Sequence, residues 1–196
     1  VEIAPDALAW VAAAQQADPA ARVWNGHCEI EREGNPYARF WHVITEYVFR
    51  AYCDDPRTTS YGPEEFDRYP KGAGHFLAPR ALLAEACAAF ASHYADPRNA
   101  SDDTHLLRHV VAQERINLSP GFRSSYRTRG TLRSFAAHTL NRGTLFLDSY
   151  LRPGTRFFAP LLVFFPASAG VAALLVLRPR LVPPAMLGGV AASAGF

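Results

Sequence analysis

The sequence predicts a mixed α/β domain followed by membrane-associated helices, and three features of the chain lead to this expectation. Strand-like runs such as ARVWNGHCEIERE alternate with helix-like runs before Asp148. An adjacent pair of acids, Asp102 and Asp103, stands at the start of the helix-like run THLLRHVVAQE. Further along, the segment Phe157–Leu177 has no charged residue, and about 20 apolar residues are enough to cross a bilayer.

The composition of the chain argues against several functional classes. The 196 residues allow one medium domain, alone or with an appendage. A formal net charge of +2 and the lack of a Lys/Arg-rich run argue against nucleic-acid binding. The three cysteines are widely spaced and form no CxxC, which favours a reducing compartment over a disulfide framework or a zinc site. They are Cys28, Cys53 and Cys87.

The first third of the chain contains segments whose sequence patterns predict helices, a strand and a loop. ALAWVAAAQQA after Pro5 predicts a helix, and ARVWNGHCEIERE predicts a strand. Tyr37–Cys53 has aromatic and aliphatic residues at helical spacing, including Phe40, Ile44 and Trp41, and this stripe predicts a helix face buried in the core. The polar, turn-rich segment Asp54–Tyr69 predicts a mobile loop.

Two short motifs follow this loop. Gly72 and Gly74 precede the short strand HFLAP and a helix over Pro79–Phe90. The glycines either make a turn or let the backbone approach a substrate closely. In NASDDTHLL, Ser101 or Asp102 can cap the next helix and Asp103 lies in its positive first turn. The simplest interpretation of the acid pair is that both residues only serve the helix start.

The last third of the chain predicts contact with a membrane. Beyond the strand INLSPGF, apolar residues recur at helical spacing over Thr131–Tyr150 with arginines nearby, which is typical of an interfacial helix. The uncharged run Phe157–Leu177 predicts a spanning helix, and a buried soluble helix is the alternative. LVPPAMLGGVAASAGF looks like a second span cut short. The expected divisions are residues 1–130, 131–156 and 157–196.

Three motifs, in this order along the chain, resemble the C-terminal part of the family 2 glycosyltransferases, GT-A fold enzymes that build bacterial polysaccharides and glycolipids. KGAGHFLAPRALL is similar to the family's Gly-rich strand and R-x-A-L helix start. SDDTHLL is similar to its T/E-E-D-x-x-L motif, with Asp102 and Asp103 at the two acidic positions. Arg142 in TLNRG matches the arginine of the family's Q-x-x-R-W box, although the glutamine is missing and Gly143 replaces the tryptophan.

The resemblance implies a partial GT-A (Rossmann-like) domain, an interfacial helix and C-terminal transmembrane helices. It implies an inverting transfer of sugar from a nucleotide-sugar donor to a saccharide or lipid-linked acceptor, at the cytoplasmic face of the inner membrane. Asp103 would be the catalytic base, and Asp102 would orient it or cap the helix. The candidates for the donor diphosphate are Arg142, Arg127 and Arg129. Those for the acceptor are Gly72, Gly74 and His75.

Family members hold Mg²⁺ or Mn²⁺ through a D-x-D motif in the half of the domain that binds the donor. This sequence contains no D-x-D, so no residue is assigned as a metal ligand. The opening VEIAP resembles the residues that follow the motif in the family. We therefore expect a fragment that lacks the donor-binding half and is inactive by itself.

Two other functional classes remain open. His105 and His109 are one helical turn apart beside Asp102 and Asp103, and such a group can bind Zn²⁺. This pattern would suit a membrane-bound metal hydrolase, although no glutamate stands between the histidines as in H-E-x-x-H. The third class is a membrane adaptor without catalytic activity.

Overall fold

A mixed β-sheet with helices packed against it forms the first of two units. The computed structural model describes residues 1–30 and 35–181. The chain divides into the units Val1–Ser149 and Tyr150–Phe196. The α/β class predicted from the sequence is therefore confirmed, and the GT-A fold remains a prediction.

The described part of the sheet has five strands: β1 (Glu2–Ile3), β2 (Trp24–Ile30), β3 (Thr59–Tyr61), β4 (Phe76–Leu77) and β5 (Ile116–Tyr126). Their order is β1-β5-β2-β4, and β3 also pairs with β5. The β2–β5 pair is parallel, whereas β1 and β3 run antiparallel to β5 and β4 runs antiparallel to β2. The long strand β5 is thus the centre of the sheet, and the prediction from INLSPGF captured only its first seven residues of eleven.

The helices lie close to the predicted positions. They are α1 (Ala7–Ala17), α2 (Pro36–Val48), α3 (Arg50–Cys53), α4 (Arg80–Ala88), α5 (Asp102–Gln113), α6 (Leu132–Tyr150) and α7 (Phe158–Leu177). Asn35 starts α2 by accepting hydrogen bonds from the backbone N–H groups of Tyr37 and Ala38, and Pro36 occupies the first turn. The predicted helix over Tyr37–Cys53 is interrupted at Phe49, which separates α2 from α3.

Two clusters of buried side chains hold the sheet to its helices. The larger cluster brings together α4, α5, β3 and β5, and Leu107, Val110 and Ile116 lie at its most buried points. The smaller cluster joins α1 to the sheet through Val11 and Phe122. Because α5 buries one face in the larger cluster, its N-terminus is fixed relative to the sheet.

The predicted mobile loop over Asp54–Tyr69 is wrong for most of its length. It contains β3 and a 3₁₀ helix, Pro63–Arg68. Tyr61 and Phe66 are 0% and 3% exposed and belong to the larger cluster. The segment is rich in polar and turn-forming residues, but a few aromatic side chains are enough to anchor it to the core.

The prediction that the aromatic stripe of α2 is core is also wrong. Phe40 is 45% exposed and Tyr47 is 65% exposed. The stripe contacts α6 instead, where Phe135 stacks on Tyr37 at 4.9 Å between ring centroids and meets Phe40 edge-on at 5.3 Å. Helical spacing correctly identified one apolar face, but the partner of that face is another amphipathic helix.

The second unit contains α7 and a short 3₁₀ helix, Pro179–Leu181. Within the described residues, α7 is the one helix long and apolar enough to span a membrane, with a mean hydropathy of 2.2. None of its residues is buried, and Pro166 lies inside it. The second apolar segment, LVPPAMLGGVAASAGF, lies almost wholly outside the described residues.

Candidate functional site

An open cavity of about 330 Å³ lies within the first unit. Its wall includes residues of β2, α2, α5 and α6, together with the segment 70–75 between the 3₁₀ helix Pro63–Arg68 and β4. This segment, named the loop 70–75 below, ends in a 3₁₀ turn over Ala73–His75. Of the described residues that line it, three carry charged side chains: Lys71, Asp103 and Arg142. The acid of the SDD motif and the arginine of TLNRG therefore face one space.

Asp103 occupies the first turn of α5 at the edge of this cavity. Its carboxylate accepts a hydrogen bond from the backbone of Ala73 in the loop 70–75. Burial raises the pKa of Asp103, and the neighbouring charge of Asp102 raises it further. The bond from Ala73 and the positive charge of Arg142 act in the opposite direction. The result is a carboxylate more basic than an ordinary aspartate.

Asp102 has a different position. Both acids are exposed, but Asp102 is not part of the cavity wall, and its Oδ1 accepts a hydrogen bond from the backbone N–H of Asp103 at 2.9 Å. Ser101 is the N-cap residue of α5, but its hydroxyl forms no capping bond. That hydroxyl accepts a hydrogen bond from Ser149 at 2.6 Å instead. The prediction that the Ser101 side chain caps the helix is therefore wrong.

Arg142 reaches the cavity from α6 across the face of an aromatic ring. Its guanidinium carbon lies 4.7 Å from the centre of the Trp41 ring on α2. A cation held over tryptophan gains about 0.5–2 kcal/mol and loses part of its freedom to rotate. Because Arg142 is itself exposed, its N–H donors remain available to an anionic ligand in the cavity.

The loop 70–75 presents backbone to the cavity. Asn25, which is 2% exposed on β2, accepts a hydrogen bond from the N–H of Gly72 at 3.3 Å and donates one to the carbonyl of Pro70 at 3.2 Å. A Cβ placed on Gly72 would meet no described atom within 4 Å. Gly72 thus borders open space, as expected if a ligand approaches the backbone there, whereas a Cβ on Gly74 would contact the side chain of Val1 at 3.6 Å.

His75 is buried at the wall of the cavity and is 7% exposed. Within the described part of the chain, neither of its ring nitrogens has a hydrogen-bond partner. Its ring lies 3.9 Å from that of Phe122, between centroids. Burial lowers the pKa of His75 and so favours the neutral ring, which donates at one nitrogen and accepts at the other. A buried imidazole without a hydrogen-bond partner is suited to bind the hydroxyl group of a ligand.

Lys71 completes the charged part of the wall. It is the chain's only lysine, and its side chain is 5% exposed. The ammonium group donates hydrogen bonds to the carbonyls of Phe66 and Tyr69 at 2.7 and 3.3 Å, and lies 3.7 Å from the carboxylate of Asp67. These contacts explain how a lysine is tolerated at this depth. Its signal in the sequence is that it directly precedes the Gly-Ala-Gly motif.

The other predicted site residues lie elsewhere. Arg127 and Arg129 are exposed and are not part of the cavity wall. Arg127 faces Glu2 at 4.0 Å, and the carbonyl of Arg129 accepts a hydrogen bond from Asn35 at 3.2 Å. The structure therefore groups Arg142 with Asp103 and leaves the other two arginines apart from them.

The histidines on α5 are engaged with other side chains. His105 pairs with Asp148 at 3.1 Å and His109 with Gln113 at 2.7 Å, in each case through Nε2. Over residues 1–30 and 35–181, no three side chains of the metal-binding types His, Cys, Asp and Glu come together to hold an ion. The described residues thus provide no ligand set for the Zn²⁺ of a metal hydrolase.

Comparisons with known proteins do not identify this arrangement: no family model, no curated protein and no solved structure matches the chain.

Proposed function

We propose that the chain is the acceptor-side part of an inverting, membrane-associated glycosyltransferase, with Asp103 as the catalytic base. The observation that carries this proposal is that one cavity contains a carboxylate of raised pKa, an exposed guanidinium and a backbone loop open to ligand. The same three parts were predicted from motifs that are distant in the sequence. Their convergence supports the resemblance to family 2 glycosyltransferases.

The base has a defined task in this reaction. A sugar hydroxyl is a weak nucleophile near neutral pH, so a carboxylate must accept its proton as the oxygen attacks the anomeric carbon. The new C–O bond forms as the bond from the anomeric carbon to the diphosphate oxygen breaks, which inverts the configuration. The raised pKa of Asp103 makes its carboxylate a stronger base than an ordinary aspartate.

The leaving nucleoside diphosphate gains negative charge as the bond breaks. The fork of donors on Arg142 suits phosphate oxygens, and its stack on Trp41 holds it in place before the ligand arrives. Lys71 adds a second positive charge to the same wall. Arg142 and Lys71 are therefore the two positively charged side chains that the described cavity wall offers to the leaving group.

The acceptor is assigned to the side of the cavity formed by Gly72, Gly74 and His75. A neutral imidazole can hydrogen-bond a hydroxyl as a donor or as an acceptor through Nε2, the ring nitrogen that is not packed against Gly26. The open space at Gly72 allows a sugar ring to contact the backbone. Together they favour a hydroxyl-rich acceptor, which is a saccharide or a lipid-linked saccharide.

Membrane attachment is the second part of the proposal. The 20 residues of α7 are sufficient to cross a bilayer, and none of them is buried within the described structure, which supports a lipid environment. Leu132 and Leu140 on α6 are 67% and 75% exposed, which supports an interfacial position for that helix. Nucleotide sugars are made in the cytoplasm, so the first unit is placed at the cytoplasmic face of the inner membrane.

The test compares Asp103→Asn with the matched neighbour variant Asp102→Asn in the full-length protein. Radiolabelled nucleotide sugars are supplied with the protein's own membranes as the source of acceptor. Loss of the base is expected to slow single-turnover transfer by about 10²–10⁴-fold with little change in donor affinity. Asp102→Asn is expected to lose at most the ~1 kcal/mol of a helix-start contribution in a melting curve, with turnover nearly unchanged.

The pH profile gives a second measurement. The base works only when deprotonated, so the transfer rate is expected to fall as the pH drops through the pKa of Asp103. Because that pKa is raised, the acidic limb lies above the ordinary value for aspartate, about 3.9. Turnover close to that of the wild type in a folded Asp103→Asn protein would remove the base, and with it the proposed function.

A further inference from the structure

We infer that Asp148 is a positioning residue that sets the catalytic base Asp103 against Arg142. The inference rests on the proposed function and adds to it a residue that no sequence motif identified. Asp148 and Arg142 lie on the same helix, α6, while the residues that Asp148 holds lie at the start of α5 and in the segment before it. One carboxylate therefore connects the two elements that carry the proposed chemistry.

Asp148 is 1% exposed and its two oxygens accept four hydrogen bonds. Oδ1 accepts from the hydroxyl of Ser92 at 2.9 Å and from the backbone N–H of His93 at 2.8 Å. Oδ2 accepts from the backbone N–H of Ser101 at 2.8 Å and pairs with Nε2 of His105 at 3.1 Å. Such a set satisfies a buried carboxylate and fixes its orientation.

The next residue on α6 adds a second connection. Ser149 donates its hydroxyl hydrogen to the hydroxyl of Ser101 at 2.6 Å. The carbonyl of Ser149 accepts a hydrogen bond from Nη1 of Arg108 on α5 at 2.7 Å. The end of α6 is thus bound to α5 at three successive places, Ser101, His105 and Arg108.

This junction lies close in the chain to both functional side chains. Ser101 precedes Asp103 by two residues, so a shift of its backbone moves the first turn of α5. Arg142 precedes Asp148 by six residues on α6, about 9 Å along the helix axis at a rise of 1.5 Å per residue. A helix transmits a displacement of its anchored end over that distance, so loosening Asp148 changes the separation of Asp103 and Arg142.

The electrostatics keep this connection in place at neutral pH. Burial by itself raises the pKa of Asp148, but the donors from Ser101, His93, Ser92 and His105 outweigh it and hold the pKa below the usual range. The carboxylate therefore stays ionised over the pH range in which the proposed base works. A protonated carboxyl group would accept fewer of these hydrogen bonds.

The test is Asp148→Asn in the full-length protein, since asparagine keeps the shape but has one acceptor oxygen in place of two. We expect kcat to fall by about 10–100-fold, the effect of a displacement near 1 Å, with little change in the affinity for nucleoside diphosphate. Arg142 lowers the pKa of Asp103. Moving Arg142 away is therefore expected to shift the acidic limb of the rate profile to higher pH.

Two further variants separate positioning from stability. Val11→Ala removes side-chain volume from the smaller cluster, and Val11 does not line the cavity. This variant is the control for a loss of melting temperature that has no connection to the proposed site. It should leave the shape of the pH profile unchanged. Ser149→Ala deletes the bond to Ser101 together with the bond from the same hydroxyl to the carbonyl of Leu145 within α6. Ser149→Ala is expected to move the acidic limb of the rate profile in the same direction as Asp148→Asn, but by less. If Asp148→Asn does not fold, Ser149→Ala takes its place in the test.

The outcomes distinguish this inference from the proposed function. If Asp148→Asn and Ser149→Ala lower the melting temperature but leave kcat and the acidic limb as in the Val11→Ala control, Asp148 is structural only and the inference is overturned. The base assignment survives that result. If Asp103→Asn retains turnover, the proposed function fails, whatever Asp148→Asn shows.

Discussion

Substitution of Gly26 by alanine tests the packing of the cavity wall without reference to activity. Gly26 lies on β2 opposite Ser119 of β5. A Cβ built on it would lie 2.0 Å from Nδ1 and 2.3 Å from Cγ of His75. These are ring atoms beside the backbone of the loop 70–75, and Phe122 packs against the same ring at 3.9 Å between centroids. Gly26→Ala therefore requires the His75 ring to leave its position.

The expected loss is that of an overpacked interior, about 1–3 kcal/mol. For a protein of this length each kcal/mol corresponds to roughly 2–4 °C in melting temperature. In the double variant Gly26→Ala/His75→Ala the new methyl group occupies space that the ring has vacated. We therefore expect the double variant to be more stable than the sum of the two single losses predicts, by at least ~1 kcal/mol.

Thermal melts and denaturant titrations of the four proteins measure this coupling. Gly143→Ala on α6 is the matched control, because a Cβ there meets no described atom within 4 Å. It is expected to stabilise the helix by about 0.5–1 kcal/mol. Losses that add to within ~0.3–0.5 kcal/mol would show that Gly26 and His75 do not compete for the same space. The geometry described for the His75 side of the cavity would then be refuted.

Two further predictions concern the ligand and the membrane. Arg142→Lys should weaken the affinity for nucleoside diphosphate by about tenfold, because lysine has neither the paired donors nor the planar group that stacks on Trp41. Calorimetric titration of UDP and GDP into the full-length protein measures this affinity. An unchanged affinity for both nucleotides would remove Arg142 from the donor site. A chain anchored by Phe158–Leu177 should remain in the membrane fraction after carbonate extraction, and recovery in the soluble fraction would contradict the spanning assignment.

The sequence was sufficient for the features that depend on local pattern. The helix after SDD follows from its helix-like run of residues, and the strand at ARVWNGHCEI follows from alternation. The uncharged run predicted the helix Phe158–Leu177 from its length alone. The grouping of Asp103 with Arg142 needed the order of three motifs as well, since neither residue is distinguished from other acids and arginines by its neighbours.

The features that were missed depend on partners far away in the chain. Helical periodicity predicted that one face of α2 is apolar, but not that α6 would cover part of it and leave Phe40 and Tyr47 exposed. Gly26 gave no signal of its role, because the atom that excludes a side chain there belongs to His75, about fifty residues later. Local composition also hid β3, which is set by its pairing with β5.

Asp148 differs from these cases, because the sequence does contain a signal for it. In LFLDSYL it is a single acid among apolar residues at helical spacing. A charge at such a position is costly unless the fold supplies donors, so it indicates a buried hydrogen-bonded junction. The sequence pattern does not identify the residues that donate these hydrogen bonds. Three of them lie in the segment 92–101 and one lies on α5. Two of those donors, Ser101 and His105, lie at the start of the helix that carries Asp103. A buried acid that the sequence pattern shows to be unusual therefore joins the proposed base to the proposed diphosphate site.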